Sequence, residues 1–320
     1  MHFYRILECV VTLFNLHKPR DLGLKAAAFT SSCMTRSRGL KFRSLIAMSK
    51  VSKEFGFVRP TLVREKVLNI KQGRHPLAAA TCDSFVPNDT NSSLESGYVK
   101  ILTGANSSGK SVYMKQTGLI VYLAHIGSFV PAEQATIGVI SHIYSRIHST
   151  ECVATHMSAF LIDLRQMALA LQESTPDSLI IIDEFGKGTS EVDGLSLLAA
   201  CLNTFLFRGE ECPHLFLSTH FLDVPKFIVN TPIVRFMRFD HTLQDGEPVF
   251  LFRLVEGSAD CSFGHQVAEA SGVAPNVVQR ARQVLEAMKN NTLPPENKKI
   301  TTKLKSFIEI IKNELLSEDI

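Results

Sequence analysis

Residues 99–111 read Val99-Lys-Ile-Leu-Thr103-Gly104-Ala-Asn-Ser-Ser-Gly109-Lys110-Ser111, and they indicate the fold class. The stretch joins an apolar strand to the pattern G-x-x-x-x-G-K-[ST], which marks a phosphate-binding loop when a strand precedes it and a helix follows. Glycines let the backbone turn tightly and bring its N–H groups against phosphate oxygens. A helix that begins at Lys110 adds the positive end of its dipole. The alternative interpretation is an ordinary Gly/Ser-rich turn.

If the loop binds a nucleoside triphosphate, its residues have distinct expected roles. We expect the Lys110 ammonium to reach the β- and γ-phosphates, and the Ser111 hydroxyl to ligate Mg²⁺. The predicted nucleotide-binding residues of the loop are Gly104, Ala105, Asn106, Ser107, Ser108, Gly109, Lys110 and Ser111.

Two acids follow a second apolar run, Leu179-Ile-Ile-Ile182. Four consecutive apolar residues are typical of a strand buried on both faces of a parallel sheet. Asp183 and Glu184 then lie at the carboxyl edge, where α/β sheets bind ligands. Acids here could belong to a solvated strand end. Together with the loop, they predict ATP hydrolysis, with Asp183 holding Mg²⁺ and Glu184 deprotonating the attacking water.

A third apolar run, from His214 to Thr219, precedes His220. A histidine at this strand end can contact a γ-phosphate and take part in catalysis. The alternative is a histidine whose hydrogen bonds are satisfied at a helix start. The order of loop, acidic pair and Ser-Thr-His predicts an α/β P-loop NTPase of the ABC ATPase type. Its sheet would be mostly parallel and flanked by helices, with a C-terminal helix-turn-helix.

These segments resemble the ATPase domain of the MutS family, from about Phe55 to about Asn290. Within the family, the sequence resembles a meiotic member most. The resemblance implies a DNA clamp on meiotic recombination intermediates, formed with a second MutS homologue. It rests on Gly104 to Ser111, Asp183 to Ser190, Ser218-Thr-His220, Gly73-Arg-His-Pro76, Gly127 to Ala132, Ser145-Arg-Ile-His148 and Ile162-Asp163.

The resemblance also implies roles for three residues. Asn106 is similar to the family residue that contacts nucleotide and bridges to the opposite subunit. Ser158 looks like the serine that reaches the γ-phosphate bound by the partner. Phe85 resembles the aromatic residue that stacks on adenine, although a core aromatic near a strand end is the alternative. ATP would then hold a dimer together, sandwiched between one phosphate loop and the facing helix start.

Three positions depart from the family pattern. Ala105 stands where repair-type members carry proline, Asp163 where glutamate is common, and Phe185 where a small or aliphatic residue is usual. These changes leave Lys110, Asp183 and Glu184 untouched. We therefore expect hydrolysis to remain possible.

The sequence suggests four segments. Residues 1–50 form an N-terminal extension or a lever remnant, and residues 51–260 form the ATPase domain. Residues 261–292 read as a helix-turn-helix, which could enter a DNA major groove but in MutS-like proteins packs on the partner ATPase domain. Residues 293–320 end in an amphipathic tail helix. The domains with which MutS proteins enclose DNA precede the ATPase, and we expect none of them within these 320 residues.

Composition leaves several classes open. The net charge of +3 is too small to indicate nucleic-acid binding by itself. Seven cysteines without a C-x-x-C pair indicate reduced thiols, and no stretch is long enough to span a membrane. A nuclear protein is expected. The basic stretch from Lys18 to Lys50 has a mitochondrial transit peptide or an alternative start as other interpretations.

Four functions are compatible with the motifs. The resemblance favours an ATP-hydrolysing subunit that uses ATP and Mg²⁺, pairs with a second MutS homologue, and acts on double-stranded or branched DNA. The alternatives are a mismatch-repair MutS subunit and a non-catalytic module that binds a partner MutS subunit. An ABC transporter domain is disfavoured, because the segment around Ser158 replaces an L-S-G-G-Q signature.

Overall fold

The computed structural model describes residues 37–82, 84–146, 158–244, 247–259 and 263–294. The basic N-terminal stretch before residue 37, the motif residues 147–148 and 156–157, and the predicted tail helix lie outside the described residues. The chain divides into two compact units, Met1–Ser262 and Phe263–Ile320.

The strands are numbered here in chain order. They are β1 Thr61–Val63, β2 Leu68–Gly73, β3 Asn88–Ser92, β4 Val99–Thr103, β5 Gln134–Gly138, β6 His142–Arg146, β7 Ser178–Asp183, β8 His214–Ser218, β9 Val234–Gln244 and β10 Glu247–Glu256.

The helices are numbered in the same way. They are α1 Ser37–Glu54, α2 Pro76–Thr81, α3 Lys110–His125, α4 Ala159–Glu173, α5 Glu191–Leu206, α6 Val224–Phe227, α7 Gly264–Ala270 and α8 Pro275–Lys289, with a 3₁₀ turn at Gly209–Glu211. No helix among the described residues is both long and apolar enough to cross a membrane.

The main sheet has six strands in the order β10-β9-β4-β8-β7-β6. Five strands, β9, β4, β8, β7 and β6, are parallel to one another. The edge strand β10 pairs antiparallel with β9. The α/β class and the mostly parallel sheet expected from the sequence are confirmed for this sheet. Because β4 is internal, the loop that follows it opens at the middle of the sheet's carboxyl edge.

Apolar side chains cover both faces of this sheet. Along β7, Ile180 and Ile182 pack into one cluster with residues of α5, and Leu179 and Ile181 pack into a second cluster with residues of α3. All four are nearly or fully buried. Alternation of side chains along a strand produces this two-sided burial, which the continuous apolar run predicts.

A second sheet, of four strands in the order β1-β5-β2-β3, was not foreseen from the sequence. Here β1 is parallel to β5, while β2 is antiparallel to both β5 and β3. Strand β1 has only three residues, and β3, Asn-Asp-Thr-Asn-Ser, contains no apolar residue. Such strands lack the apolar pattern by which strands are recognised, so the expectation of a single sheet was incomplete.

The second compact unit contains α7 and α8, which contact each other. Both helices lie within residues 261–292, for which the sequence predicts a helix-turn-helix. Arg282 Nη2 lies 2.9 Å from Glu269 Oε2 and joins the two helices. The helix-turn-helix assignment of this pair, and its role, stay predictions.

Candidate active site

The glycine-rich loop between β4 and α3 turns through left-handed backbone conformations. Gly104 has φ 142°, Ser107 has φ 64° and Gly109 has φ 108°. Residues with a Cβ rarely adopt such angles, so glycines at both ends of the loop are required by its shape. Gly109 directly precedes α3 and forms no side-chain cap. The first N–H groups of α3 therefore face the loop, as an anion site at a helix start requires.

Lys110 lies at the centre of this loop. Its Nζ donates hydrogen bonds to the carbonyl oxygens of Gly104, at 2.8 Å, and Ala105, at 2.7 Å. The side chain is buried, and burial lowers the pKa of Lys110, while the charges of Glu184 and Asp183 oppose that shift. The ammonium is therefore held inside the loop, close to the two acids at the carboxyl end of β7.

The register of three parallel strands brings the predicted acids level with the loop. Leu102 of β4 pairs with Ser218 of β8, and Ser218 pairs in turn with Asp183 of β7. The Ser218 hydroxyl donates a hydrogen bond to Asp183 Oδ1. Asp183 is buried at this edge, so its carboxylate is fixed in orientation by the adjacent strand.

Glu184, the residue directly after β7, has a strained backbone. Its φ is 57°, which is uncommon for a residue with a Cβ, and its N–H donates to the Ser218 carbonyl at 3.0 Å. Burial raises the pKa of Glu184, but the hydrogen bond and charge of Lys187, with Lys110 and His220, hold it below its usual value. The carboxylate is ionised at neutral pH and is paired with Lys187. Strain of this kind is concentrated at functional sites.

His220 lies two residues beyond the end of β8. Burial and the charge of Lys187 lower the pKa of His220, and Glu184 opposes the shift. Its Nδ1 is buried and has no hydrogen-bond partner among the described residues. A neutral ring with a free nitrogen can give or accept a hydrogen bond at this edge. The structure thus brings Lys110, Asp183, Glu184 and His220 within electrostatic reach of each other.

Oxygen ligands suited to Mg²⁺ are also present. Within the described part of the chain, no cluster of three or more His, Cys, Asp or Glu could hold a metal. Mg²⁺ does not need such a cluster, because it binds through one or two carboxylates together with substrate phosphates. The oriented carboxylate of Asp183 and the hydroxyl of Ser111 are oxygen donors of this type. The buried Ser108 hydroxyl, without a partner among the described residues, is a further polar group of the loop.

An aromatic residue that the sequence analysis missed lies against the loop. A Cβ added to Gly109 would be 3.5 Å from Phe252 Cδ1 and 3.5 Å from Phe239 Cε1. Phe252 lies in the irregular part of β10, has φ 54°, and is 45% exposed. The Asn88 side chain accepts a hydrogen bond from the Leu254 N–H at 2.7 Å and donates one to the Phe252 carbonyl oxygen at 2.9 Å. An exposed ring is therefore held in a strained conformation beside the loop.

Phe85 lies three residues before Asn88 and is half-buried. The described contacts place Asn88, and not Phe85 itself, against Phe252. Phe85 therefore stays a predicted base contact. Phe252 carries no sequence signal of its own, because a phenylalanine in a strand normally has an extended backbone.

Ser158 is the N-cap of α4. Its Oγ accepts a hydrogen bond from the Leu161 N–H at 3.2 Å, and the residue is exposed. Asn106, at the crest of the loop, is exposed as well. Both residues are accessible at the surface, as contacts to another subunit require. Their proposed roles across a dimer stay predictions.

The fold and this set of side chains define an α/β protein with a glycine-rich loop, a buried lysine and two acids at the carboxyl edge of a largely parallel sheet. Residues 100–289 match the family model described as MutS domain V. The chain belongs to the MutS family, whose domain V contains its ATPase region.

Three relatives show the range of the similarity. MutS protein homolog 5 of Caenorhabditis elegans is 42% identical over 258 residues, covering 79% of this chain and 19% of the relative. DNA mismatch repair protein MutS of Chloroflexus aurantiacus is 38% identical, covering 78% and 26%. DNA mismatch repair protein MutS of Salinibacter ruber is 36% identical, covering 77% and 27%. The chain thus spans about a fifth to a quarter of the length of these relatives.

Proposed function

We propose that this chain is an ATP-binding and ATP-hydrolysing subunit of a MutS-type DNA clamp that works as a heterodimer on meiotic recombination intermediates. The observation that supports this most is the convergence of a glycine-rich loop, a buried lysine and two acids at one sheet edge. The similarity to MutS protein homolog 5 supports the meiotic assignment, and with it a nuclear location.

Each group has a role in the proposed reaction. The loop N–H groups and Lys110 bind the phosphates and offset negative charge at the γ-phosphate. Ser111 and Asp183 hold Mg²⁺, which when bound supplies positive charge to the phosphate oxygens. Glu184 accepts a proton from the attacking water. His220 contacts the γ-phosphate through the nitrogen that has no partner among the described residues.

Glu184 must be ionised to accept that proton. Its pKa below the usual value keeps it ionised across the neutral range. The cost is lower basicity, because a carboxylate with a depressed pKa is a weaker base. Slow hydrolysis is therefore expected from this site while Lys187 stays paired with Glu184.

ATP would also stabilise the dimer. In the proposed arrangement Ser158 of one subunit reaches the γ-phosphate bound by the other, and Asn106 bridges the two. The partner is a second MutS homologue that contacts this chain through its ATPase domain and through α7 and α8. Double-stranded or branched DNA would be bound by the full-length assembly.

Glu184→Gln tests the chemistry directly. Removing a general base costs about 10²–10⁴-fold in rate, so turnover should fall by at least about 100-fold while ATP still binds. Light scattering of the chain mixed with a second meiotic MutS homologue should show an ATP-dependent dimer that lasts longer in this variant. Glu210→Gln, at an exposed position before β8, is the matched control.

The outcomes separate the alternatives. Pairing that needs no ATP and survives Lys110→Ala would favour a non-catalytic partner-binding module. Unchanged turnover in Glu184→Gln would remove Glu184 from the chemistry. A mismatch-repair role is supported by the similarity to several relatives that are named DNA mismatch repair protein MutS. It requires ATP turnover that responds to mismatched DNA more than to matched or branched DNA.

A further inference from the structure

An ion pair joins the two elements that residues 147–157 connect. Arg146 is the last residue of β6, and its Nη2 lies 2.5 Å from Asp163 Oδ2 in α4. The side chain of Asp163 is 3% exposed and that of Arg146 is 13% exposed. Breaking a buried pair leaves an uncompensated charge, which is strongly unfavourable. The pair therefore holds α4 against the edge strand of the main sheet.

The same pair fixes how α4 is rotated. Ser158 and Asp163 are five residues apart, and a helix of 3.6 residues per turn places them about 140° apart around its axis. Asp163 is buried against β6, and Ser158 is exposed. A rotation that exposed Asp163 would turn Ser158 away from its present direction. Asp163 therefore determines where the Ser158 hydroxyl points.

A second contact joins the start of α4 to the turn after Glu184. A Cβ added to Gly188 would be 2.6 Å from Phe160 Cβ, so Phe160 packs directly on the backbone of that turn. Gly188 follows Lys187, the residue paired with Glu184. The start of α4 is thus held at two points, one on the sheet edge and one beside the candidate base.

The middle of α4 is packed less completely. A cavity of about 360 Å³ lies between this helix and the sheet, lined in part by Met167, Ala170, Ile180 and Ile182 and also by Arg146 and Asp163 themselves. Side chains that face a void lose dispersion contacts on that side. The position of α4 therefore depends more on the Arg146–Asp163 pair than it would in a filled interface.

We propose that Arg146 and Asp163 are positioning residues that hold the Ser158 hydroxyl in place for the γ-phosphate bound by the partner subunit. The inference rests on the proposed function. It adds that the geometry of the contact across the dimer is set by an ion pair within one chain. Neither Arg146 nor Asp163 touches nucleotide in this arrangement.

Asp163→Asn tests the proposal, because it removes the charge and keeps the side-chain shape. ATP-driven pairing should weaken by about tenfold or more, with ATP affinity of the separate chain unchanged. Asp163→Glu, which restores the charge, should recover most of the pairing. The double variant Ser158→Ala/Asp163→Asn should pair no more weakly than Ser158→Ala, since residues that act through one contact are not additive.

Hydrogen exchange gives a readout that does not need a dimer. The Leu161 N–H bound to Ser158 Oγ should exchange faster in Asp163→Asn, while amides in the middle of α5 keep their rates. Additive losses in the double variant, or unchanged pairing in Asp163→Asn, would overturn the proposal. A wild-type chain that binds ATP but does not pair when mixed with a second MutS homologue overturns the contact across the dimer. If the chain does not pair, an unchanged exchange rate of the Leu161 N–H in Asp163→Asn would also exclude a role of Asp163 in anchoring α4.

Discussion

At the scale of single residues, the site combines predictable and unpredictable positions. Lys110 and Asp183 could be placed from sequence, because loop and strand-end patterns fix where the backbone puts them. The left-handed backbone of Glu184 and the exposed ring of Phe252 could not be placed in this way. Both depend on contacts from other strands, such as the carbonyl of Ser218 and the side chain of Asn88.

Phe252→Gly should separate binding from stability. Base stacking on an aromatic ring contributes about 1–3 kcal/mol, so ATP affinity should fall by about five- to a hundredfold. Glycine relieves roughly 1–2 kcal/mol of left-handed strain, which offsets lost ring contacts, so the urea midpoint should change little. Phe252→Tyr keeps the ring and should retain affinity. Equal affinity in both variants would exclude Phe252 as a base contact.

At the scale of elements, two glycines set how closely α5 approaches the turn after Glu184. A Cβ added to Gly194, in the first turn of α5, would be 2.5 Å from the Gly186 carbonyl oxygen and 3.0 Å from Phe221 Cζ. Ser190 caps this helix, with its Oγ 3.2 Å from the Asp193 N–H. The close contact between turn and helix is a property of the packing, which no local sequence pattern indicates.

Gly194→Ala should therefore destabilise the protein although alanine favours helices. The helix preference contributes about 1 kcal/mol, and overpacking costs about 1–3 kcal/mol while displacing the turn that carries Glu184. We expect a lower free energy of unfolding in urea titrations and slower ATP turnover together. Gly209→Ala, where a Cβ meets nothing within 4 Å, should cost only its backbone strain and leave turnover unchanged. A Gly194→Ala variant as stable and active as wild type would contradict the close contact.

The whole molecule combines a sheet that the sequence largely predicts with one that it does not. Long apolar runs identify β4, β7 and β8, because strands buried on both faces carry continuous apolar residues. The four-stranded sheet is built from short or polar strands. In this sheet β5 lies between β1 and β2, although it comes much later in the chain than either of them. Tertiary contacts determine this strand pairing, and no local sequence pattern predicts it.

Stability of the whole molecule should fall with pH below neutrality. Burial lowers the pKa of His214 to about 3 and that of His75 to about 4, from a model-peptide value of 6.5. Below pH 6.5 the unfolded chain binds protons that the folded chain excludes, so each histidine removes up to about 1.4 kcal/mol per pH unit. The effect continues until the pH passes the folded pKa.

Urea unfolding at pH 7.0, 6.0 and 5.0 measures this slope. His214→Gln should reduce the slope by up to about 1.4 kcal/mol per pH unit, because one of the histidines with a depressed pKa is gone. His142→Gln, at an exposed position, should leave the slope unchanged. A flat dependence in the wild type would show that these rings can be protonated in the folded state.

The hydrogen bonds of Asn88 also affect how the chain folds during synthesis. Its amide joins β3 to β10 backbone groups 164 and 166 residues further along the chain. At about 5–20 residues per second on the ribosome, these partner residues are synthesised roughly 10–30 s after strand β3. Meanwhile Leu68 and Ile70 of β2, buried in the finished fold, have no complete core to enter. The nascent chain thus presents an incomplete sheet for many seconds, during which chaperone binding can compete with folding.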